Sequence, residues 1–483
     1  MSYIFNEQPV AFRLIFMLEF WERFGYYTLQ GILTLYLMRS LGFSDTEAYY
    51  TFGAFVALIY GMVVVGGYIG DRVLGTKRTI VLGLITLAIG YSTLIFSQQK
   101  GIFISLGIIC VGNGLFKANP SSLLSRCYAN NDSRLHSGFT LYYMAVNLGS
   151  IIALIIGPYM ASHFGYPYAY FFSSAGLVAG LLNYRLQRSL IVNINNAADQ
   201  KIIPYIVWIM VIMGITILIC VSNYLLHHLG LARGLIWLIT IISLGIYCFY
   251  LMQENIFERK RMLLALVLMV EGMVFFILYQ QMPTSLTLFA VHNVTPSLVG
   301  ITFDPQSFQV LNPIWIVCFS PVLARWYTYL QQRNIAFQVP YKFALGMLCC
   351  GFSFIILYLS KFFSDDLGHV SAWWLVASYS LQSLGELLVS ALGLAMIAEL
   401  VPRSINGFVM GMWFLTSSIA GFLGATVAAY TALPKNINAG LDSLSIYTNV
   451  FAYIGVTIVF FGVCLWLLAK PLSKYSQPKT LIV

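Results

Sequence analysis

Long apolar stretches alternate with short polar breaks along almost the whole chain. A helix needs about 20 consecutive apolar residues to cross the hydrocarbon core of a bilayer. Runs of this length predict about fourteen transmembrane helices, with six before a polar break, then two, then six. Their approximate ranges are 12–38, 50–70, 78–97, 101–124, 138–160, 167–187, 203–222, 232–252, 262–282, 308–330, 342–360, 371–399, 405–430 and 447–469.

The continuous apolar character of these runs indicates helices rather than strands. A membrane β-barrel would need segments in which apolar and polar positions alternate, and a spanning segment must satisfy its own backbone hydrogen bonds. The expected fold class is therefore an all-α polytopic membrane protein. The polar breaks divide it into a six-helix bundle at residues 1–190, a linker with two additional transmembrane helices at 191–258 and a second six-helix bundle at 259–483.

Composition and charge agree with a membrane protein. Hydrophobic residues make up 59% of the chain and charged residues only 9%, whereas soluble domains have about 25% charged residues. The net charge of +9 could suggest nucleic-acid binding, but the basic residues follow the positive-inside rule. With a cytoplasmic N-terminus, eighteen Lys and Arg residues fall on the cytoplasmic side and five on the other. We therefore expect both termini in the cytoplasm and no nucleic-acid partner.

The first span carries charges in the stretch EFWERFGYY, residues 19–27. At helical spacing, one face within an arc of about 140° contains Glu19, Glu22, Arg23, Tyr26, Tyr27 and Gln30. Ionised side chains facing lipid are costly, so this face is expected to line a wet interior cavity. The alternative is a Glu19 and Arg23 pair that only ties helices together, but this leaves Glu22 unexplained.

Two further charges lie inside later spans. Lys117 shares a stripe with Asn113 and Ser121 on the fourth helix, and Glu386 shares one with Gln382 and Ser390. Asn and Ser in membrane helices are more often interhelical contacts, whereas an intramembrane Lys or Glu indicates function. An ion pair between Lys117 and Glu386 would join the two bundles, and a zwitterion such as an amino acid or short peptide could compete for either charge.

Motifs for enzymatic chemistry are missing from the sequence. It has no P-loop, no nucleophile elbow and no spacing of histidines or its eight cysteines that suits a metal. We expect no enzymatic activity, no metal and no cofactor. A membrane enzyme acting on lipid or peptide and a receptor that does not transport are the alternatives from other functional classes.

Several motifs resemble those of the proton-dependent oligopeptide transporter family within the major facilitator superfamily. The stretch EFWERFGYY is similar to its ExxERFxYY signature, and GNGLFKANPSSL and FTLYYMAVNLGS resemble its fourth- and fifth-helix signatures. GGYIGDRVLGTKR, the LNP at residues 311–313, QSLGELLVSALGL and GMWFLT continue the likeness in family order. The two additional helices are similar to those of bacterial dipeptide and tripeptide permeases.

The resemblance implies two bundles that alternate access around a central site. It implies a proton-coupled symporter that imports dipeptides and tripeptides, with peptide-like drugs as further candidates, across a bacterial cytoplasmic membrane. The proton would be the coupling ion, and one chain would function as a monomer. A relative with a changed pocket that carries drugs or nitrate-like anions is the alternative within transport, and Glu386 disfavours an anion pocket.

The same resemblance implies roles for individual residues. Proton coupling is expected at Glu19, Glu22, Arg23 and Lys117, and gating at Asp71, Arg72, Lys117 and Glu386. Substrate binding is expected at Tyr27, Tyr60, Lys117, Asn147, Gln281, Asn312, Glu386, Trp413 and Ser417.

Three positions depart from the family pattern. Gln30 stands where many members have an arginine that binds the peptide carboxylate, so Lys117 and Arg23 would have to bind the carboxylate here. Gln280 stands where many members have an acidic residue in the seventh helix, and Glu271 is the candidate substitute. Gly53 stands where mammalian members have a proton-sensing histidine, so coupling through a histidine is not expected.

Overall fold

The computed structural model describes residues 8–97, 101–128, 134–333, 335, 337–402, 404–434 and 439–475. Nearly all of them are helical, as expected of apolar runs that must satisfy their backbone hydrogen bonds internally. The predicted termini at residues 1–7 and 476–483 lie outside the described residues.

The first six spans form seven helices because the fourth span is interrupted. The structure has helices α1 (Val10–Arg39), α2 (Asp45–Tyr68, followed by a π-helical turn Ile69–Val73), α3 (Thr76–Phe96), α4 (Ile102–Lys117), α5 (Asn119–Ser125), α6 (Arg134–His163) and α7 (Tyr166–Gln187). The sequence predicted one span at 101–124. In the structure this span is interrupted between α4 and α5, because Pro120 near the start of α5 cannot donate a backbone hydrogen bond.

A short 3₁₀ turn, Arg188–Ile191, leads towards the two additional helices, α8 (Tyr205–His227) and α9 (Leu229–Gln253). The remaining helices are α10 (Ile256–Tyr279), α11 (Ser285–Asn293), α12 (Leu311–Gln332), α13 (Val339–Leu359), α14 (Trp373–Val389), α15 (Gly393–Leu400), α16 (Asn406–Ala429) and α17 (Leu441–Ser473). Further 3₁₀ turns are Pro305–Val310, Ser360–Phe363 and Ser390–Leu392.

Four two-residue strands occur in loops of the second half. β1 (Val294–Thr295) pairs in parallel with β4 (Val370–Ser371), and β2 (Ser297–Leu298) pairs antiparallel with β3 (Ile301–Thr302). They are too short to form a sheet core, so the all-α fold class is confirmed.

Among the described residues, eleven helical segments are long and apolar enough to cross a membrane. Three further long segments of the predicted fourteen, α1, α7 and α14 with α15, are not among those eleven. Polar side chains lower the hydropathy of α1, which carries Glu19, Glu22 and Arg23. The most polar of the predicted spans is thus the one with the charged motif.

The chain forms two compact units. One contains residues 1–44 and 54–232, and the other contains 45–53 and 233–483. The additional helices are divided between them, with α8 in the first unit and α9, apart from its first four residues, in the second. The first residues of α2 belong to the second unit, where Tyr49 Oη lies 3.4 Å from Thr431 Oγ1.

Close helix packing in the first unit surrounds the charged part of α1. α1 packs against α6 and α7, α3 packs against α4 and α7, and α4 packs against α8. A Cβ at Gly149 of α6 would lie 2.6 Å from the carbonyl oxygen of Phe20 and 3.2 Å from Cβ of Arg23. Glycine is therefore needed for α6 to approach the charged motif this closely.

Candidate functional site

The three charged residues of α1 form one buried network in the first unit. Glu19, Glu22 and Arg23 are 5%, 1% and 5% exposed. Arg23 Nε lies 3.3 Å from Glu19 Oε1, and the same guanidinium contacts the Glu22 carboxylate directly. The predicted polar face of α1 therefore points into the protein, where one cation serves two carboxylates.

Two neutral donors from other helices complete this network. Asn113 Nδ2 of α4 donates to Glu22 Oε1 at 2.8 Å, and Tyr142 Oη of α6 donates to Glu19 Oε2 at 2.5 Å. Asn113 was expected to be mainly an interhelical contact, and Tyr142 carried no signal in the sequence. Each carboxylate is thus ion-paired to Arg23 and accepts a hydrogen bond from a separate helix.

Lys117 has an aromatic neighbour on α2. Its Nζ lies 4.0 Å from the ring centroid of Tyr60, a cation–π geometry. Among the described residues, Lys117 forms no ion pair. Tyr27, also predicted for the pocket, is partly exposed and packs edge-on against Tyr26.

Asn147 is buried on α6, where its side chain bonds to its own helix. Its Nδ2 donates to the carbonyl oxygen of Tyr143 at 2.8 Å. An amide oxygen that is not used in this bond can still accept from a ligand. The substrate role of Asn147 stays a prediction.

Asn312 and Glu386 are brought together in the second unit. Asn312 Nδ2 of α12 donates to Glu386 Oε2 of α14 at 2.8 Å and to Ser383 Oγ at 3.1 Å. Asn312 is buried and Glu386 is partly exposed. The amide of Asn312 therefore orients the partly exposed carboxyl group of Glu386.

Trp413 is buried between two glycines. A Cβ at Gly272 of α10 would lie 2.6 Å from the Trp413 ring, and one at Gly393 of α15 would lie 2.0 Å from it. Phe276 contacts the same ring edge-on at 5.8 Å between centroids. Ser417, one turn further along α16, is also buried.

The side chain of Gln281 forms hydrogen bonds at the break between α10 and α11. Its Nε2 donates to the carbonyl oxygens of Ile277 and Gly424, both at 3.0 Å, and its Oε1 accepts from Ser285 Oγ at 2.8 Å. These bonds tie the end of α10 to α16. They give Gln281 a structural role, and its predicted contact with substrate stays a prediction.

The charged loop after α2 has a partner that the sequence did not identify. Asp71 Oδ1 lies 3.4 Å from a guanidinium nitrogen of Arg126, and Arg72 is exposed. The neighbouring Lys77 is bound by the segment 192–201, because its backbone N–H donates to Asp199 and its Nζ to Asn195. Lys117 lies in the first unit and Glu386 in the second, and their predicted pairing stays a prediction.

Metal-binding groups are not assembled anywhere in the described part of the chain. No group of three or more His, Cys, Asp or Glu residues there could hold a metal ion. The clustered polar side chains can instead bind and release protons or hold the charged ends of a small molecule.

Comparison with known families identifies the chain. A sequence model described as the POT family matches residues 77–447. The chain belongs to the POT family. The resemblance inferred from the motifs is thereby confirmed, and the major facilitator fold with it.

Relatives of this POT family member cover almost its whole length. Dipeptide and tripeptide permease A of Yersinia pestis is 46% identical, with 97% of this chain and 94% of the permease aligned. Dipeptide and tripeptide permease B of Salmonella typhimurium is 45% identical, with 95% and 96% aligned. The crystal structure of tetrameric PepTSo2 superimposes with a TM-score of 0.87 at 35% identity, covering 97% of this chain and 99% of PepTSo2.

Proposed function

We propose that this chain is a proton-coupled symporter that imports dipeptides and tripeptides across the cytoplasmic membrane of a bacterium. Membership of the POT family and near full-length relatives that are permeases support transport over enzymatic catalysis. The observation that carries the mechanism is the buried network of Glu19, Glu22 and Arg23. Charged side chains inside a membrane are costly to bury, and they therefore indicate a functional site.

The proton is assigned to this network. Arg23 contacts both carboxylates, so a proton on Glu22 weakens one of its two ion pairs. The guanidinium is then held mainly by Glu19, and the helices that carry the remaining partners can rearrange. Loss of the proton restores the pairing and returns the carrier to its starting state.

Lys117 and Glu386 are each assigned a role in peptide binding. Lys117 would bind the peptide carboxylate, since its ammonium group lies over an aromatic ring and forms no ion pair in the described part of the chain. Glu386, oriented by Asn312, would bind the peptide amino group. Charged hydrogen bonds of this kind give both affinity and orientation.

The membrane potential can supply the energy without a nucleotide. One charge moved through 100 mV is worth about 2.3 kcal/mol. That energy corresponds to a concentration ratio of roughly 50-fold per proton, and a pH gradient adds to it. A proton bound on one side and released on the other is therefore sufficient to accumulate peptide.

Uptake into proteoliposomes with an imposed pH gradient tests this function. Wild-type protein should accumulate a labelled dipeptide, and mass spectrometry should recover it uncleaved. Glu22→Gln should lose proton-driven accumulation but retain peptide exchange, because the amide cannot carry the proton. Glu47→Gln, at an exposed position of α2, is the matched control. Accumulation by Glu22→Gln at the wild-type level would refute the coupling role.

We also propose that both termini are cytoplasmic and that a single chain is the transport unit. The distribution of basic loop residues supports the orientation, and every charged group in the two assigned sites comes from one chain. Reporters fused to the C-terminus, one active in the cytoplasm and one active in the periplasm, test the orientation.

A further inference from the structure

A carboxylic acid lies on the buried face of α10, away from the network of α1. Glu271 is 2% exposed and shares its helix face with Leu264, Leu268, Phe275 and Leu278. All four of these neighbours are apolar and buried. A carboxylate at this depth in a spanning helix is expensive and therefore indicates function.

Glu271 has no polar partner in the described part of the chain. Its Oε2 is buried without a hydrogen bond, and it forms no ion pair there. This distinguishes it from Glu19 and Glu22, which are both paired with Arg23. A buried carboxyl group without a counter-charge is far less costly in its neutral, protonated form.

The helices around α10 do not supply a counter-charge. It packs against α13, α14, α15 and α16, and Tyr247 of α9 donates to the carbonyl oxygen of Met262. The titratable or charged residues of the four packed helices are Tyr341, Lys342, Cys349, Cys350, Tyr358, Tyr379, Glu386 and Glu399, and α16 has none. None of these side chains is hydrogen-bonded or ion-paired to Glu271 among the described residues.

The next residue along the helix connects this position with the predicted pocket. Gly272 leaves the space in which the Trp413 ring lies, and Phe276 contacts the same ring. A displacement of α10 relative to α16 would therefore change both the packing of the Trp413 ring and the surroundings of Glu271. Water that reached Glu271 during such a displacement would allow its proton to leave.

We infer that Glu271 is a second proton-binding site of the transporter, located in the second unit and separate from the Glu19, Glu22 and Arg23 network. This inference rests on the proposed function. Glu271 holds a proton while α10 and α16 are packed as in this structure, and it releases the proton when that packing opens. Each cycle then moves one more proton than the α1 network alone would move.

Infrared difference spectroscopy tests whether Glu271 holds a proton. Peptide is added to wild-type protein and to Glu271→Gln, and the C=O stretch of protonated carboxyl groups is followed. The wild-type spectrum should contain a peptide-dependent carboxylic acid band that is missing in Glu271→Gln and present in Glu258→Gln, a matched change near the start of α10. A spectrum of Glu271→Gln identical to that of the wild type would overturn the inference.

Proton stoichiometry provides the second measurement. The membrane potential that just balances a known peptide gradient is determined in proteoliposomes, which gives the number of protons moved per peptide. Glu271→Gln should move one proton fewer than wild type and Glu258→Gln, and an unchanged number would contradict the inference. If wild-type protein shows no proton-driven uptake, the proposed function fails, which is a different outcome.

Discussion

Tyr142 on α6 donates a hydrogen bond to the Glu19 carboxylate on α1 across 2.5 Å. The polar partners of this carboxylate are Tyr142 on α6 and Arg23 on α1. Of these, Tyr142 is the neutral donor, and its hydrogen bond fixes the orientation of the carboxylate. Tyr142 is therefore a positioning residue that helps to set when Glu19 binds a proton.

Tyr142→Phe should shift the pH dependence of uptake. The change removes only the hydroxyl group, so the Glu19 carboxylate loses a charge-assisted hydrogen bond worth about 1.5–3 kcal/mol. Initial rates of dipeptide uptake, measured at a constant pH difference over a series of pH values, should show the profile moving along the pH axis.

The control for this change is on the same helix. Tyr159 is 48% exposed, and Tyr159→Phe should leave the pH profile where it is in the wild type. A Tyr142→Phe profile that only falls in height, without moving along the pH axis, would mean that the hydroxyl group has a structural role alone.

Asn113→Asp should impair proton release. The substitution preserves the shape of the side chain but places a carboxyl group at the position that now donates to Glu22 at 2.8 Å. Two adjacent carboxyl groups disfavour double ionisation, so the substitution favours a proton shared between them. Net accumulation at neutral pH should fall strongly, while exchange of labelled for unlabelled peptide persists.

Asn183→Asp on α7 is the matched substitution, at a partly exposed site where the side chain accepts from Gln187. It should accumulate peptide normally. Equal losses of accumulation and exchange in Asn113→Asp, with unchanged thermal stability, would contradict a specific effect on proton release.

The fold could be predicted from the sequence because each spanning helix is indicated by its own residues. An apolar run of about 20 residues is a property of one segment, and a charged face on such a run must point inwards. The position of Glu19, Glu22 and Arg23 inside the first unit follows from these two rules. The break after Lys117 was missed because an internal Pro120 can kink a spanning helix or end it, and packing decides which.

Partners that come from different helices were harder to predict. Tyr142 resembles any other aromatic residue of an apolar run until α6 is placed beside α1. Arg126, which pairs with Asp71, was one of many loop cations that the positive-inside rule explains equally well. Gln281 was predicted to contact substrate, which stays a prediction, but the sequence did not indicate that its hydrogen bonds join α10 to α16.

Glu386→Gln should weaken peptide binding by removing the charge but not the shape of the side chain. Asn312 Nδ2 can still donate to the amide oxygen of the new side chain, so local structure is preserved. The loss of a hydrogen bond to a charged group, about 1.5–3 kcal/mol, corresponds to roughly a 10- to 100-fold rise in Kd. Isothermal titration with a dipeptide measures this change directly.

A modified ligand separates the amino-group contact from other effects of Glu386. An N-acetylated dipeptide has no cationic amine, so it should bind wild type and Glu386→Gln with the same weak affinity. Glu399→Gln, an exposed position on α15, should behave as wild type with both ligands. A further loss of affinity for the acetylated peptide in Glu386→Gln would show that Glu386 contacts another part of the ligand.

Gly272→Ala should disturb the pocket through Trp413 without changing any polar group. The new Cβ would lie 2.6 Å from the Trp413 ring, which is confined on another side by Gly393 and cannot simply move away. Overpacking of this kind typically costs 1–3 kcal/mol, so thermal stability should fall by about that much. Because the ring must tilt or α10 must shift, peptide affinity should fall as well.

Gly411→Ala on α16 is the control, since a Cβ there meets no atom within 4 Å. Combining Gly272→Ala with Trp413→Phe, which removes the crowded ring, should restore part of the lost stability; a double variant less stable than either single variant would show that Gly272 and Trp413 are not coupled in this way.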